Sequence, residues 1–145
     1  MSSQIFYEEV ERRFVLLGYE PNSGGNISAH TSSRGFQIIG GICHHKYFTG
    51  SDSVRLELYF GFGPSGDKQY NKSHYRILFE QREIVENIFD ETFAWVDDKD
   101  DLSSLVYGET KVNFSSKESR KEATDWMVGR VHQMHIAVSG IFRSL

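Results

Sequence analysis

The sequence SVRLELYF, residues 53–60, alternates apolar and polar side chains along its whole length. In an extended strand, successive side chains point to opposite sides. The apolar residues therefore face one way, and Arg55, Glu57 and Tyr59 face the other. This alternation predicts a β-strand with one apolar and one polar face, and it is the clearest strand signal in the chain.

The elements predicted around this strand occur in blocks rather than in strict alternation. The order is helix, three strands, helix, two to three strands and a long helix. Consecutive strands joined by short turns pair antiparallel. The pattern predicts an α+β fold, with an antiparallel sheet of about five to six strands packed with three helices. The first segments are a helix at 4–17 and strands at 35–43 and 53–60, and residues 46–49 either extend the first of these strands or form a short one between them. A helix follows from Asn71 or Ser73 to about Phe89, and then come a strand at 92–96 and a hairpin at 103–107 and 111–114. The last helix runs to about Phe142 after a Ser115–Glu118 capping box.

Length and composition restrict the class of protein. The chain has 145 residues and a net charge of −4, and residues 1–145 contain no repeat or linker, so a single α+β domain is predicted. A lone Cys43 excludes an intramolecular disulfide framework and a cysteine-rich zinc site. No apolar run is long enough to span a membrane, so a cytoplasmic protein is expected. The acidic balance disfavours broad, sequence-independent DNA coating.

Two arginines occupy unexpected positions in the helical patterns. Arg82 falls within an apolar stripe of the second predicted helix, and Arg130 falls within the stripe of the last one. An unpaired charge in a protein core is very unfavourable, so each should meet a carboxylate or an anionic ligand, or else reach solvent. Glu57 and Glu86 are the candidate partners. The pattern therefore predicts either structural ion pairs or a pocket for an anion.

The candidate ligand-binding residues follow from the second alternative. An arginine-lined cleft could bind a phosphate or a carboxylate, because guanidinium groups match both anions bidentately. The residues that would form it are Arg55, Glu57, Tyr59, Arg82 and Arg130.

Other motifs are less informative. The loop GFGPSG at 61–66 matches a dinucleotide fingerprint as a string, but it does not lead directly into a helix, so a plain connecting loop is predicted. His132 and His135 could chelate a metal from one side of a helix, although a zinc site needs three or four ligands. No catalytic residue, metal or cofactor is predicted.

Several short motifs follow one another at defined spacings. They are the strand 54–60, Asn71-Lys72, the helix segment 78–86, Phe93-x-Trp95, and Trp126-Met127 with Phe142. Their order resembles the family called domain of unknown function 4268, over roughly residues 35–142. The resemblance implies a prokaryotic protein linked to DNA restriction or phage defence, and it assigns no catalytic residue. One departure is Ser104-Leu105-Val106, where the family tends to have Ser-Arg-Ile.

These observations lead to a functional hypothesis with two alternatives. The chain is interpreted as a non-catalytic cytosolic binding module that docks onto a partner protein or a nucleoprotein complex, and no membrane partner is predicted. A homodimer is predicted because the second helix, at 71–89, is apolar on two sides. The first alternative is a sensor for a small anion or nucleotide derivative, and the second is a divergent metal-dependent nuclease. Nucleic-acid binding is possible but not favoured.

Overall fold

The computed structural model describes residues 2–19, 33–39, 43–61, 67–89, 93–97 and 104–143. Most of the predicted loop at 61–66 lies outside these residues. Within the described residues the chain forms four helices and five strands. In chain order they are α1 (Ser2–Leu16), β1 (Ser33–Ile39), β2 (Cys43–Thr49), β3 (Ser53–Phe60), α2 (Lys68–Glu80), α3 (Arg82–Phe89), β4 (Ala94–Val96), β5 (Ser104–Lys111) and α4 (Lys117–Arg143).

The described strands form one sheet with the order β1-β2-β3-β5-β4. Every neighbouring pair is antiparallel. The strand at 53–60 is β3, and it lies at the centre, between β2 and β5. The α+β fold and an antiparallel sheet of five strands are thereby confirmed.

The apolar side of β3 faces the core. Its four apolar side chains are fully buried, namely Val54, Leu56, Leu58 and Phe60. Residues of α1 and of the first half of α4 pack over one half of this side. Residues of α2, α3 and the second half of α4 pack over the other half. The described helices therefore lie against one side of the sheet, which we call the covered face.

The helix boundaries differ from the predictions at three places. The cap of α2 is Asp67, whose carboxylate accepts from the backbone N–H of Gln69 at 2.9 Å, and not Asn71 or Ser73. The helix predicted to run to residue 89 is interrupted at Gln81, whose backbone leaves the helical region. The last helix is capped by Ser116, one residue after the predicted Ser115. The two cap shifts arise because several nearby polar residues can occupy one capping position.

The predicted hairpin across residues 108–109 is wrong, because β5 continues through Gly108. Gly108 pairs with Leu56 of β3 on the covered face. A Cβ at this position would lie 2.7 Å from the Phe93 ring, so the missing side chain makes room for that ring. Glycine here serves close packing rather than a turn.

Candidate functional site

The side of the sheet opposite the helices carries a group of aromatic and charged residues, which we call the open face. It arises from the same alternation that buries the apolar side of β3. The strand register brings side chains of β2, β3 and β5 together on this side. They are Lys46, Phe48, Arg55, Glu57, Tyr59, Leu105, Tyr107 and Glu109.

Glu57 is at the centre of the open face. It lies opposite Lys46 on β2 and opposite Tyr107 on β5. Its side chain is only 3% exposed, and it accepts a bond from Arg55 Nη1 at 3.3 Å. Burial raises the pKa of Glu57, even though Arg55 and Lys46 act to lower it. The carboxylate is therefore desolvated between two cations.

Arg55 is held flat against an aromatic ring. Its guanidinium carbon lies 3.6 Å from the centroid of the Tyr107 ring and 6.0 Å from that of Phe48. Such stacking fixes the plane of the guanidinium and its fork of N–H donors. Because the side chain is still 33% exposed, part of this fork is accessible from solution.

Lys46 forms a second cation–aromatic pair across the strands. Its Nζ lies 3.9 Å from the centroid of the Tyr59 ring. Burial lowers the pKa of Lys46, while the charge of Glu57 opposes this effect. The open face thus consists of two cation–tyrosine pairs on either side of one buried carboxylate.

The structure brings together three of the five predicted site residues, Arg55, Glu57 and Tyr59. Arg82 lies outside the core and takes the last of its three predicted alternatives, which is to reach solvent. The interruption at Gln81 places Arg82 in α3 with an exposed side chain, and its Nη1 donates to the Phe79 carbonyl at 3.1 Å.

Arg130 is also not buried in the core, although the sequence pattern places it within the apolar stripe of the last helix. It is half-buried on α4, and its guanidinium carbon lies 5.9 Å from the centroid of the Trp126 ring, one turn earlier. Its long side chain thus lies along an aromatic neighbour, which is the snorkelling alternative. Because α4 packs on the covered face, Arg130 and Arg55 are on opposite sides of the sheet.

Sequence reasoning missed Lys46, Phe48 and Tyr107 as site residues. The signal that could have found them is the pairing register, since residues opposite Glu57 and Arg55 must share their side of the sheet. The predicted hairpin at 103–114 hid this signal, because it placed Tyr107 next to a turn.

A different polar cluster connects α2 to the edge of the sheet. Lys72 Nζ lies 2.8 Å from Asp97 Oδ1 and donates to Ser104 Oγ at 2.9 Å, and Ser104 donates in turn to Asp97. The bond from Lys72 is the main cause that lowers the pKa of Asp97. Burial, with the Asp97 charge nearby, raises the pKa of Tyr75 to about 12. Ser104 is 2% exposed, so this closed triangle fixes the helix on the sheet.

Histidines gather on the covered side, where α4 passes over β2. The His135 ring lies 5.6 Å from His45 and 5.3 Å from Tyr19, and the Tyr19 hydroxyl bonds His132 Nδ1 at 2.8 Å. Burial, followed by the charges of His132 and Arg143, lowers the pKa of His135. In the described part of the chain, no group of three or more His, Cys, Asp or Glu is placed to hold a metal ion.

Comparison with known proteins identifies the family. Residues 41–141 match a domain of unknown function, DUF4268, and the chain belongs to that family. The resemblance in the motifs is therefore confirmed. No curated protein matches the chain. Among the described residues, no helix is both long and apolar enough to cross a membrane.

A solved structure supports the fold. The chain is similar to the crystal structure of YbjN from E. coli, described as a candidate transcription regulator, with a TM-score of 0.51. The likeness covers 95% of this chain and 92% of that one, at 8% sequence identity. Identity this low shows a shared arrangement of helices and strands and assigns no role to any residue.

Proposed function

We propose that this member of the DUF4268 family is a non-catalytic binding domain that docks onto a partner protein through its open face. The observation that supports this proposal is the half-exposed group of Arg55, Tyr59, Tyr107 and Lys46 around the buried Glu57. Arginine and tyrosine are enriched among the residues that dominate protein–protein binding. Their mutual stacking limits the conformational entropy that binding would remove.

The geometry favours binding over the nuclease alternative. A metal-dependent nuclease needs carboxylates that converge on a cation. Glu57 instead contacts Arg55 and faces Lys46, so its charge is already matched by protein cations. Two of the three arginines predicted to bind an anion, Arg82 and Arg130, lie away from the open face. Arg55 remains there, with Lys46 as a second cation.

Site-specific crosslinking in the cytoplasm, where we propose that the protein acts, tests the docking face. A photo-crosslinking residue replaces Glu109, which is exposed beside Arg55 on the open face, and a control places it at Glu122, exposed on α4. We expect a discrete crosslinked partner from position 109 and none from position 122. The family resemblance implies a restriction or phage-defence protein as that partner.

A second variant makes this test decisive. Arg55→Ala in the chain that carries the crosslinker at 109 removes the stacked guanidinium, and we expect the crosslinked product to disappear while the circular dichroism spectrum is retained. Crosslinking that survives this substitution, or that occurs equally from 122, would contradict docking through the open face.

We also propose that the chain self-associates through α2 and α3. Phe79 and Ile84 are 36% and 51% exposed there, although both are large and apolar. Light scattering at micromolar concentration should give a dimer for the natural chain and a monomer for Ile84→Glu. A monomeric mass for the natural chain would refute self-association and leave the proposal for the open face intact.

A further inference from the structure

The open face carries a chemical signature that specifies its partner more closely. Resting on the proposed function, we infer that the docking segment of the partner is an acidic peptide whose carboxylate binds the Arg55 guanidinium in competition with Glu57. Lys46 lies on the other side of Glu57 and stabilises the incoming charge. The residues that carry this inference are Arg55, Lys46, Glu57, Tyr107 and Glu109.

The local charge complements an acidic segment. Among the residues that the structure describes, Lys46 and Arg55 flank one buried carboxylate, that of Glu57, so the centre of the open face carries one positive charge more than it has negative charges. This contrasts with the net charge of −4 for the whole chain. Glu109, exposed and opposite Arg55 on β5, adds one negative charge at the rim, which balances the excess of the centre. A local excess of one sign attracts groups of the other sign and excludes partners of the same sign.

The bond that Arg55 already makes is of a kind that can be replaced. It joins Nη1 to Glu57 Oε2 at 3.3 Å, whereas charge-assisted bonds of this type usually measure about 2.7–2.9 Å. Stacking on Tyr107 keeps the guanidinium in place independently of Glu57. A carboxylate that approaches the exposed edge of the guanidinium can form the bidentate pair that the present geometry does not provide.

The same geometry disfavours a single-stranded nucleic acid as occupant. Proteins that bind single strands through a sheet stack bases on open aromatic rings. Here one face of Tyr59 is covered by Lys46, and one face of Tyr107 is covered by Arg55. A small positive excess is also insufficient for a phosphate backbone, whose binding usually depends on several cationic contacts.

Fluorescence anisotropy with defined probes tests the inference on the full chain. The probes are labelled hexaglutamate, hexaglutamine and a hexathymidine strand. We expect binding of hexaglutamate alone, and Arg55→Gln should weaken it by about tenfold or more, as for the loss of a charge-assisted pair. Arg12→Gln, which removes an exposed arginine of α1 on the covered side, is the charge-matched control and should bind as the natural chain does.

Further substitutions give effects of opposite sign. Arg55→Lys keeps the charge but loses the fork, so it should retain only part of the affinity. Glu57→Gln removes the competing carboxylate and Glu109→Gln removes the rim charge, so both should strengthen binding of hexaglutamate. Melting temperatures of the five variants show that each one is folded at the assay temperature.

The results separate this inference from the proposed function. It is overturned if hexaglutamate does not bind, if Arg55→Gln binds it as tightly as Arg12→Gln does, or if hexathymidine binds more tightly than hexaglutamate. Crosslinking from position 109 that depends on Arg55, together with absent affinity for hexaglutamate, would retain the docking face and reject an acidic partner segment. No crosslinked partner from position 109 in the chain that retains Arg55 would reject the docking face itself.

Discussion

The covered face and the open face are built by the same strand and differ in what holds them together. On the covered face, Leu56 and Leu58 are fully buried beneath helices. On the open face, Arg55 and Glu57 interact with residues of neighbouring strands. Burial of apolar area contributes about 25 cal/mol per Å², whereas a partly exposed ion pair contributes about 1 kcal/mol or less. The comparison teaches that, among the described residues, most of the stabilising burial lies on the covered face.

Truncating one leucine on each face should give the largest difference in stability between the two faces. Leu58→Ala removes a fully buried side chain and should lower the free energy of unfolding by about 2–5 kcal/mol. Leu105→Ala removes a half-buried side chain from the open face and should cost about 1 kcal/mol. Urea denaturation measures both. Equal losses would show that the open face also contributes to the core.

Gly108→Ala tests the close packing on the covered face. The new Cβ would lie 2.7 Å from Cε1 of Phe93, whose side chain is buried, so we expect a loss of about 1–3 kcal/mol. Gly129→Ala in α4 is the matched control, because nothing lies within 4 Å of its added Cβ. Alanine is the better helix former, so this control should gain about 0.5–1 kcal/mol. A neutral Gly108→Ala would refute the packing argument.

Acid should weaken the covered face through His135. Because its pKa is lowered in the folded protein, the unfolded chain binds the proton first, and stability falls as the pH drops below the ordinary value of 6.5. His135→Gln should therefore reduce the loss of melting temperature between pH 7.5 and pH 5.5. A His132→Gln control should keep most of that loss. An unchanged loss in His135→Gln would place the acid sensitivity elsewhere.

The open face should respond to pH in the opposite direction, with the smallest effect. Because the pKa of Glu57 is raised in the folded protein, its contribution is favourable below the ordinary value of 4.5 and is lost as the pH rises. Glu57→Gln should raise the melting temperature at pH 7 and give a smaller gain at pH 4. Glu109→Gln, at an exposed position of the same face, is the control for the removal of one carboxylate. A gain in melting temperature that is larger at pH 4 than at pH 7 would contradict a raised pKa for Glu57.

Prediction of the site from the sequence succeeded within one strand and failed between elements. Alternation along β3 placed Arg55, Glu57 and Tyr59 on one side, and the structure agrees. Arg82 was misplaced because a single helical period was assumed across Gln81, where the backbone interrupts the helix. Tyr107 was missed because Gly108 resembled a turn residue, although it pairs with Leu56 inside a continuous strand. The Arg82 error arises from a local break in the helix, whereas the Tyr107 error concerns pairing between residues distant in sequence.

The sequence by itself determined the elements whose cause is local. The alternating strand 53–60 follows from side-chain order, and α1 ends where Gly18 adopts a φ of +81°, a conformation that glycine accepts without strain. Tertiary structure alone decided that Glu57 faces both Lys46 and Tyr107 and that Phe93 requires a glycine at 108. The reason is physical: periodicity and capping depend on neighbours along the chain, whereas strand register and packing depend on which distant surfaces meet.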